Sequence, residues 1–125
     1  MRDSHPIDLR SIFDASLHFM GVLSPDGMLL DANLTSLQAA GLTLEEVRGQ
    51  PFWETPWWAH DPGEQARLRA GIQRAARGEF FEMETTHTTA GGRVLVVSFS
   101  IQPLRDGQGR VVALLPEGRD ISDLA

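Results

Sequence analysis

The hydrophobic pattern of the chain changes period along its length. In FFEMETTHTT, Phe81, Met83, Thr85 and His87 fall on one side, against Glu82, Glu84 and Thr86 on the other. In RVLVVSFSIQPL, Leu95, Val97, Phe99 and Ile101 alternate with Val96, Ser98, Ser100 and Gln102. This period of two predicts two strands joined at AGGR, and RDGQGR then turns the chain into a third strand, VVALLPEGRDI. Two earlier strands, HFMGVLS and MLLDAN, flank Pro25-Asp26-Gly27, a run suited to a tight turn.

Helical spacing occupies the rest. Ile7, Leu9, Ile12 and Phe13 predict a short amphipathic helix over residues 7–16. Asn33 suits the cap of LTSLQAA, which Gly41 ends, and Thr43 with Glu46 makes a capping box for a second brief helix, closed by Gly49. The longest helix follows Asp61, with Pro62 at its first position and Glu64 placed to cap reciprocally. Its apolar stripe is Leu68, Ile72, Ala75 and Ala76. Arg74 and Arg77 suit its negative C-terminal pole, and Gly78 stops it. Two strands, small helices, one longer helix and a three-stranded meander predict a single α+β domain: an antiparallel sheet with its helices on one face.

Composition narrows the function. The 125 residues hold no cysteine, which removes disulfides, thiolate nucleophiles and cysteinyl cofactor adducts. The net charge is −6 and all 11 basic residues are unclustered arginines, a poor match to a nucleic-acid backbone. No apolar run is long enough for membrane insertion and the N-terminus lacks a secretion signal, so a cytoplasmic location is expected.

The order of these pieces resembles the PAS domain, the sensory module of bacterial signalling proteins. The resemblance rests on LSPDGMLLDAN, GLTLEEVRGQP, the capped helix ending in ARGE, the DGQGR hairpin and the terminal GRDIS, and it runs from about Phe13 to Ala125. It implies a PAS-like five-stranded sheet in order 2-1-5-4-3, with a cavity between sheet and helices. Residues 1–16 would be an N-terminal capping segment, 17–122 the core, and 123–125 the start of a linker to an effector. The resemblance also implies that Asp120, Ile121 and Ser122 match the Asp-Ile-Thr ending that relays a signal to that effector, often a histidine kinase or diguanylate cyclase. Asp120 would anchor the exit from the last strand, paired with an arginine.

Known PAS chemistries fit poorly. Flavin adducts need a cysteine, and the glutamine that light-sensing members carry on the last strand is Gly118 here. Haem-binding members hold an axial histidine inside the long helix, and residues 62–77 contain none. His60 precedes that helix and reads as solvated or capping, while His87, near a hairpin, is expected at the surface. His5 and His18 have no evident partner. Glu82 and Glu84 read as solvated, and no nucleophile elbow, phosphate loop or metal-ligand spacing occurs. Neither enzyme, cofactor nor metal is expected. A small cone-shaped enzyme built on the same sheet is the remote alternative, with His87 its only inward acid–base group on the meander.

The segment PFWETPWWAHD holds all three tryptophans of a chain without tyrosine. In the resemblance it lines or lids the cavity, so the tryptophans are either wall or plug. One is expected to close the cavity and another to cover the outside. The candidate ligand-binding residues are Phe52, Trp53, Trp57, Trp58, Ile72, Met83, Thr85 and Phe99, and the ligand would be a small organic molecule. The alternative is a packed dimerisation module. If Gly118 faces inward, so do Val112, Leu114 and Pro116. Val111, Ala113 and Leu115 then form an apolar outer face, which the N-terminal helix or a homodimer partner would cover.

Overall fold

The computed structural model describes residues 8–122. Strands β1 (Phe19–Leu23), β2 (Leu29–Ala32), β3 (Phe81–Thr88), β4 (Val94–Arg105) and β5 (Val111–Asp120) form one antiparallel sheet in the order β2-β1-β5-β4-β3. Helices α1 (Leu9–Ala15), α2 (Leu34–Ala40), α3 (Leu44–Val47) and α4 (Pro62–Ala76) follow the predicted segments, with a 3-10 turn at Phe52–Glu54. Ile7 and residues 123–125, assigned above to the first helix and the linker, lie outside the described residues.

The core is a meeting of the two predicted patterns. Leu68, Ile72 and Ala75 of α4 are buried against Leu95, Val97, Phe99 and Ile101 of β4, with Leu23, Leu29 and Leu114 completing the sheet side. Such burial stabilises by about 2 kcal/mol per large aliphatic side chain. Gly27 shows why the first turn needs glycine. Its φ is +90°, and a Cβ there would stand 2.8 Å from the Trp53 ring.

Asn33 does more than cap α2. Its Oδ1 accepts from Ser36 N at 3.2 Å and Met20 N at 3.0 Å, while Nδ2 donates to Phe13 O at 2.9 Å and His18 O at 3.0 Å. Wholly buried, it joins the end of α1, the start of β1 and the start of α2 with every polar atom satisfied.

Three local expectations are corrected. Asp61 caps α4 as predicted, accepting from Gly63 N at 2.9 Å, but Glu64 does not return the bond. Its carboxylate instead accepts from Thr85 Oγ1 at 2.6 Å and from Arg67, tying the helix to β3. Val112 is exposed, not inward, because the register of β4 and β5 slips between Leu104 and Arg105. That bulge reverses the alternation, so Val111 packs on the core while Leu114, Pro116 and Gly118 keep the inward side. Finally, α1 lies beside α2 and does not cover the outer face of the sheet. Arg10 binds Asp31 at 2.7 Å, Asp14 accepts from Leu34 N at 3.0 Å, and Leu9 and Ile12 stay exposed.

Candidate functional site

Between the sheet and the α2–Trp57 side lies a cavity of about 20 Å³, room for one water. Phe19, Gly21, Pro116 and Gly118 wall it from β1 and β5. Ser36 enters from α2, Phe52 and Trp57 from the tryptophan segment, and His87 and Phe99 from the meander. Three predicted residues therefore meet there: Phe52, Trp57 and Phe99. The other five lie elsewhere. Trp58 is a wholly buried plug, edge-on to Phe52, His87 and Phe99, and its indole Nε1 is the one buried side-chain polar atom without a partner among the described residues. Thr85 is spent on Glu64, and Met83 packs half-buried at the core margin.

Trp53 and Ile72 line a different space, an open groove of about 380 Å³ beside α4 and the β1–β2 turn. There the Arg69 guanidinium lies 4.7 Å above the Trp53 ring, a cation–π pair at the surface. The tryptophans thus divide their tasks: Trp57 is wall, Trp58 plug, Trp53 outer cover. Trp57 also satisfies its N–H on Ser36 O at 3.0 Å.

His87 is the largest departure from expectation. It is buried, 6% exposed, among aromatic rings, and the β3–β4 hairpin beyond it folds back on α2, where Ala90 N donates to Ala39 O at 2.9 Å. The Trp58 ring stands edge-on at 4.8 Å, with Phe19 at 6.1 Å and Phe99 at 6.3 Å. Burial in this aromatic cage pushes its pKa down to about 4, against a smaller upward pull from the Thr86 carbonyl. The ring is therefore neutral near pH 7, with Nδ1–H donating to Thr86 O at 3.1 Å. Strand parity placed His87 on this face. The signal missed was that an inward histidine on such a strand needs a reason to escape burial, and a nearby hairpin is none.

The remaining histidines are peripheral. His60 is exposed and bonded to Thr86 Oγ1 at 3.0 Å, and His18 pairs with Glu117 at 2.6 Å on the outer side of the sheet. Glu82 and Glu84 are exposed. Among the described residues no group of three or more metal-ligating side chains is gathered.

The chain leaves the sheet through a fastened corner. Ile121 N donates to Val96 O at 2.9 Å, Val96 N donates to Ser122 Oγ at 3.0 Å, and Asp120 Oδ1 accepts from Ser122 N at 2.9 Å. Hydrogen bonds from Ser122 hold the Asp120 carboxyl below its usual range; the Arg93 charge adds a smaller downward pull, and among the described residues no ion pair joins the two. The expected arginine partner is thus replaced by a backbone turn.

The chain thus combines a five-stranded antiparallel sheet in this order with helices on one face, a small aromatic-walled cavity and a fastened exit strand. The family model described as PAS fold matches residues 13–125, and the chain belongs to that family. It is 40% identical over 116 residues to the sensor histidine kinase TmoS of Ectopseudomonas mendocina, covering 91% of this chain and 12% of that protein. It is 34% identical over 116 residues to hybrid signal transduction histidine kinase D of Dictyostelium discoideum, covering 91% of this chain and 8% of that protein. Among solved structures, the PAS domain of BvgS from Bordetella pertussis superposes with a TM-score of 0.72 at 23% identity, over 90% of this chain and 83% of that one. The chain spans only a small fraction of the kinases it matches. No helix among the described residues is long and apolar enough to cross a membrane.

Proposed function

We propose that this chain is the sensory and regulatory module of a cytoplasmic bacterial signal-transduction protein, with a histidine kinase or diguanylate cyclase as effector in the same polypeptide. It works without catalysis of its own. One observation carries the reading: β5 both walls the cavity, through Pro116 and Gly118, and leads into the corner at Asp120, Ile121 and Ser122. A molecule that enlarges the cavity presses on the strand that leads into that corner. The relatives are consistent with this role because one is a sensor histidine kinase and another a hybrid signal transduction histidine kinase.

The test is Asp120→Ala in a protein joining this module to its effector. The carboxylate accepts one turn-closing bond at an exposed site, so its loss costs about 1 kcal/mol and leaves the module folded. The effector should lose most of its response to signal. An unchanged response with a normal melting temperature would remove the relay role.

A second reading, the packed dimerisation module, is favoured by the small cavity and by exposed apolar residues on the outer sheet side, among them Val94, Val96, Leu104 and Val112. The two readings share a homodimer and differ in whether the interior takes a ligand.

A further inference from the structure

The cavity offers a ligand an unusual one-sided polar surface. Most of its wall is aromatic or aliphatic, from Phe19, Phe52, Trp57, Phe99 and Pro116. Two residues with polar side chains line it, Ser36 and His87, and both have already used their protons. The Ser36 hydroxyl donates to Asn33 O at 2.9 Å, leaving oxygen lone pairs. The His87 ring donates through Nδ1 to the carbonyl of its own strand, which leaves Nε2, the nitrogen farther from the backbone, as a bare acceptor. Among the described residues nothing donates to that Nε2. Nearby donors are committed or set back: Trp57 Nε1–H is bonded to Ser36 O, and Trp58, whose N–H is unpaired, does not line the cavity.

We propose that this cavity binds a small, uncharged, largely apolar molecule carrying one hydrogen-bond donor, a phenol or an alcohol, with that donor on Nε2 of His87. The inference rests on the ligand-sensing reading above and adds the chemical class. A carboxylate would meet two acceptors and no donor; an ammonium would gain from the rings but lose its hydration with no carboxylate among the lining residues to offset it. A plain hydrocarbon would leave both acceptors unpaired. The cavity is smaller than a phenol ring, so binding requires wall side chains to move. Phe52 and Trp57 are the side chains held by the 3-10 turn and the loop after it rather than by the sheet.

The matched pair of phenol and benzene tests the class directly. In the unmodified protein, calorimetry should show phenol binding about three- to tenfold more tightly than benzene, the factor one net hydrogen bond supplies. In His87→Phe the order should reverse, because the hydroxyl would be buried without a partner. A second readout needs no variant: with 15N-labelled histidine, phenol should shift the Nε2 resonance of His87 toward the hydrogen-bonded position and benzene should not. That readout decides the matter even where His87→Phe fails to fold. Benzene binding as tightly as phenol, or phenol binding with Nε2 unmoved, would overturn the assignment of His87 while leaving a ligand-binding cavity in place. Binding of neither overturns the ligand class and leaves the relay role to the Asp120 test.

Discussion

His87 is a base held neutral by its surroundings, and that makes it a measurable liability. Its pKa of about 4 in the folded chain compares with 6.5 when exposed in the unfolded one. Between those values the unfolded chain takes up a proton that the folded chain refuses, so stability falls as pH drops from about 6.5 to 4. At pH 5 the loss is about 2 kcal/mol relative to pH 7.5. Glu46 and Asp120 act in the same direction but lower, since their depressed pKa values withdraw stability only below the ordinary carboxylate range. Urea denaturation at pH 7.5 and 5.0 separates these effects. His87→Phe should flatten the difference between the two pH values, and an unflattened difference would assign it to other groups. Parity along FFEMETTHTT showed which way His87 points and so favoured burial; which rings enclose it, above all Trp58 from about thirty residues upstream, no local pattern records.

At the scale of elements, α4 packs on β3 through a glycine. Gly71 faces the Phe81 ring, and a Cβ built at Gly71 falls well inside van der Waals contact with three of its carbons. In an exposed helix, Gly→Ala gains about 1 kcal/mol from propensity. Here overpacking costs about 1–3 kcal/mol and wins, so Gly71→Ala should lower the urea midpoint. Adding Phe81→Leu should recover much of the loss, and failure to recover would place the strain elsewhere. The element order was legible because capping residues and alternation agree along most of the chain: Asn33, Thr43 and Asp61 begin their helices as expected. The bulge in β5 was not. VVALLP is apolar at every position, so its parity cannot be read from composition, and the slip is set by pairing with β4. The same limit scattered the candidate site. Trp53 and Ile72 carry the right chemistry for a cavity, yet the β1–β2 turn and Trp53 pack on Ile72 and line a separate groove beside α4.

For the whole molecule, the proposed homodimer would form through the outer face of the sheet. Its centre is mostly polar: Glu82, Ser98, Ser100, Glu117 and Arg119 line a shallow groove with His18 and the exposed Phe80. Other exposed apolar residues lie toward the ends, Val94 and Val96 at one and Leu104 and Val112 at the other, each at least 40% exposed. With α1 docked beside α2, nothing among the described residues covers the Leu104–Val112 end, and the bulge is what turns Val112 outward there. A homodimer that buries this end gains apolar contact from both protomers, while the polar centre fixes how the two faces align. Leu104→Asp and Val112→Asp place carboxylates at that end without touching the core, so each should leave the melting temperature nearly unchanged and shift the protein toward monomer. Sedimentation equilibrium at tens of micromolar should find the unmodified chain dimeric and the double variant monomeric. A monomeric unmodified chain would exclude the dimer at this concentration; a dimer surviving both changes would move its interface to the Val94–Val96 end or to α1, whose Leu9 and Ile12 are also exposed.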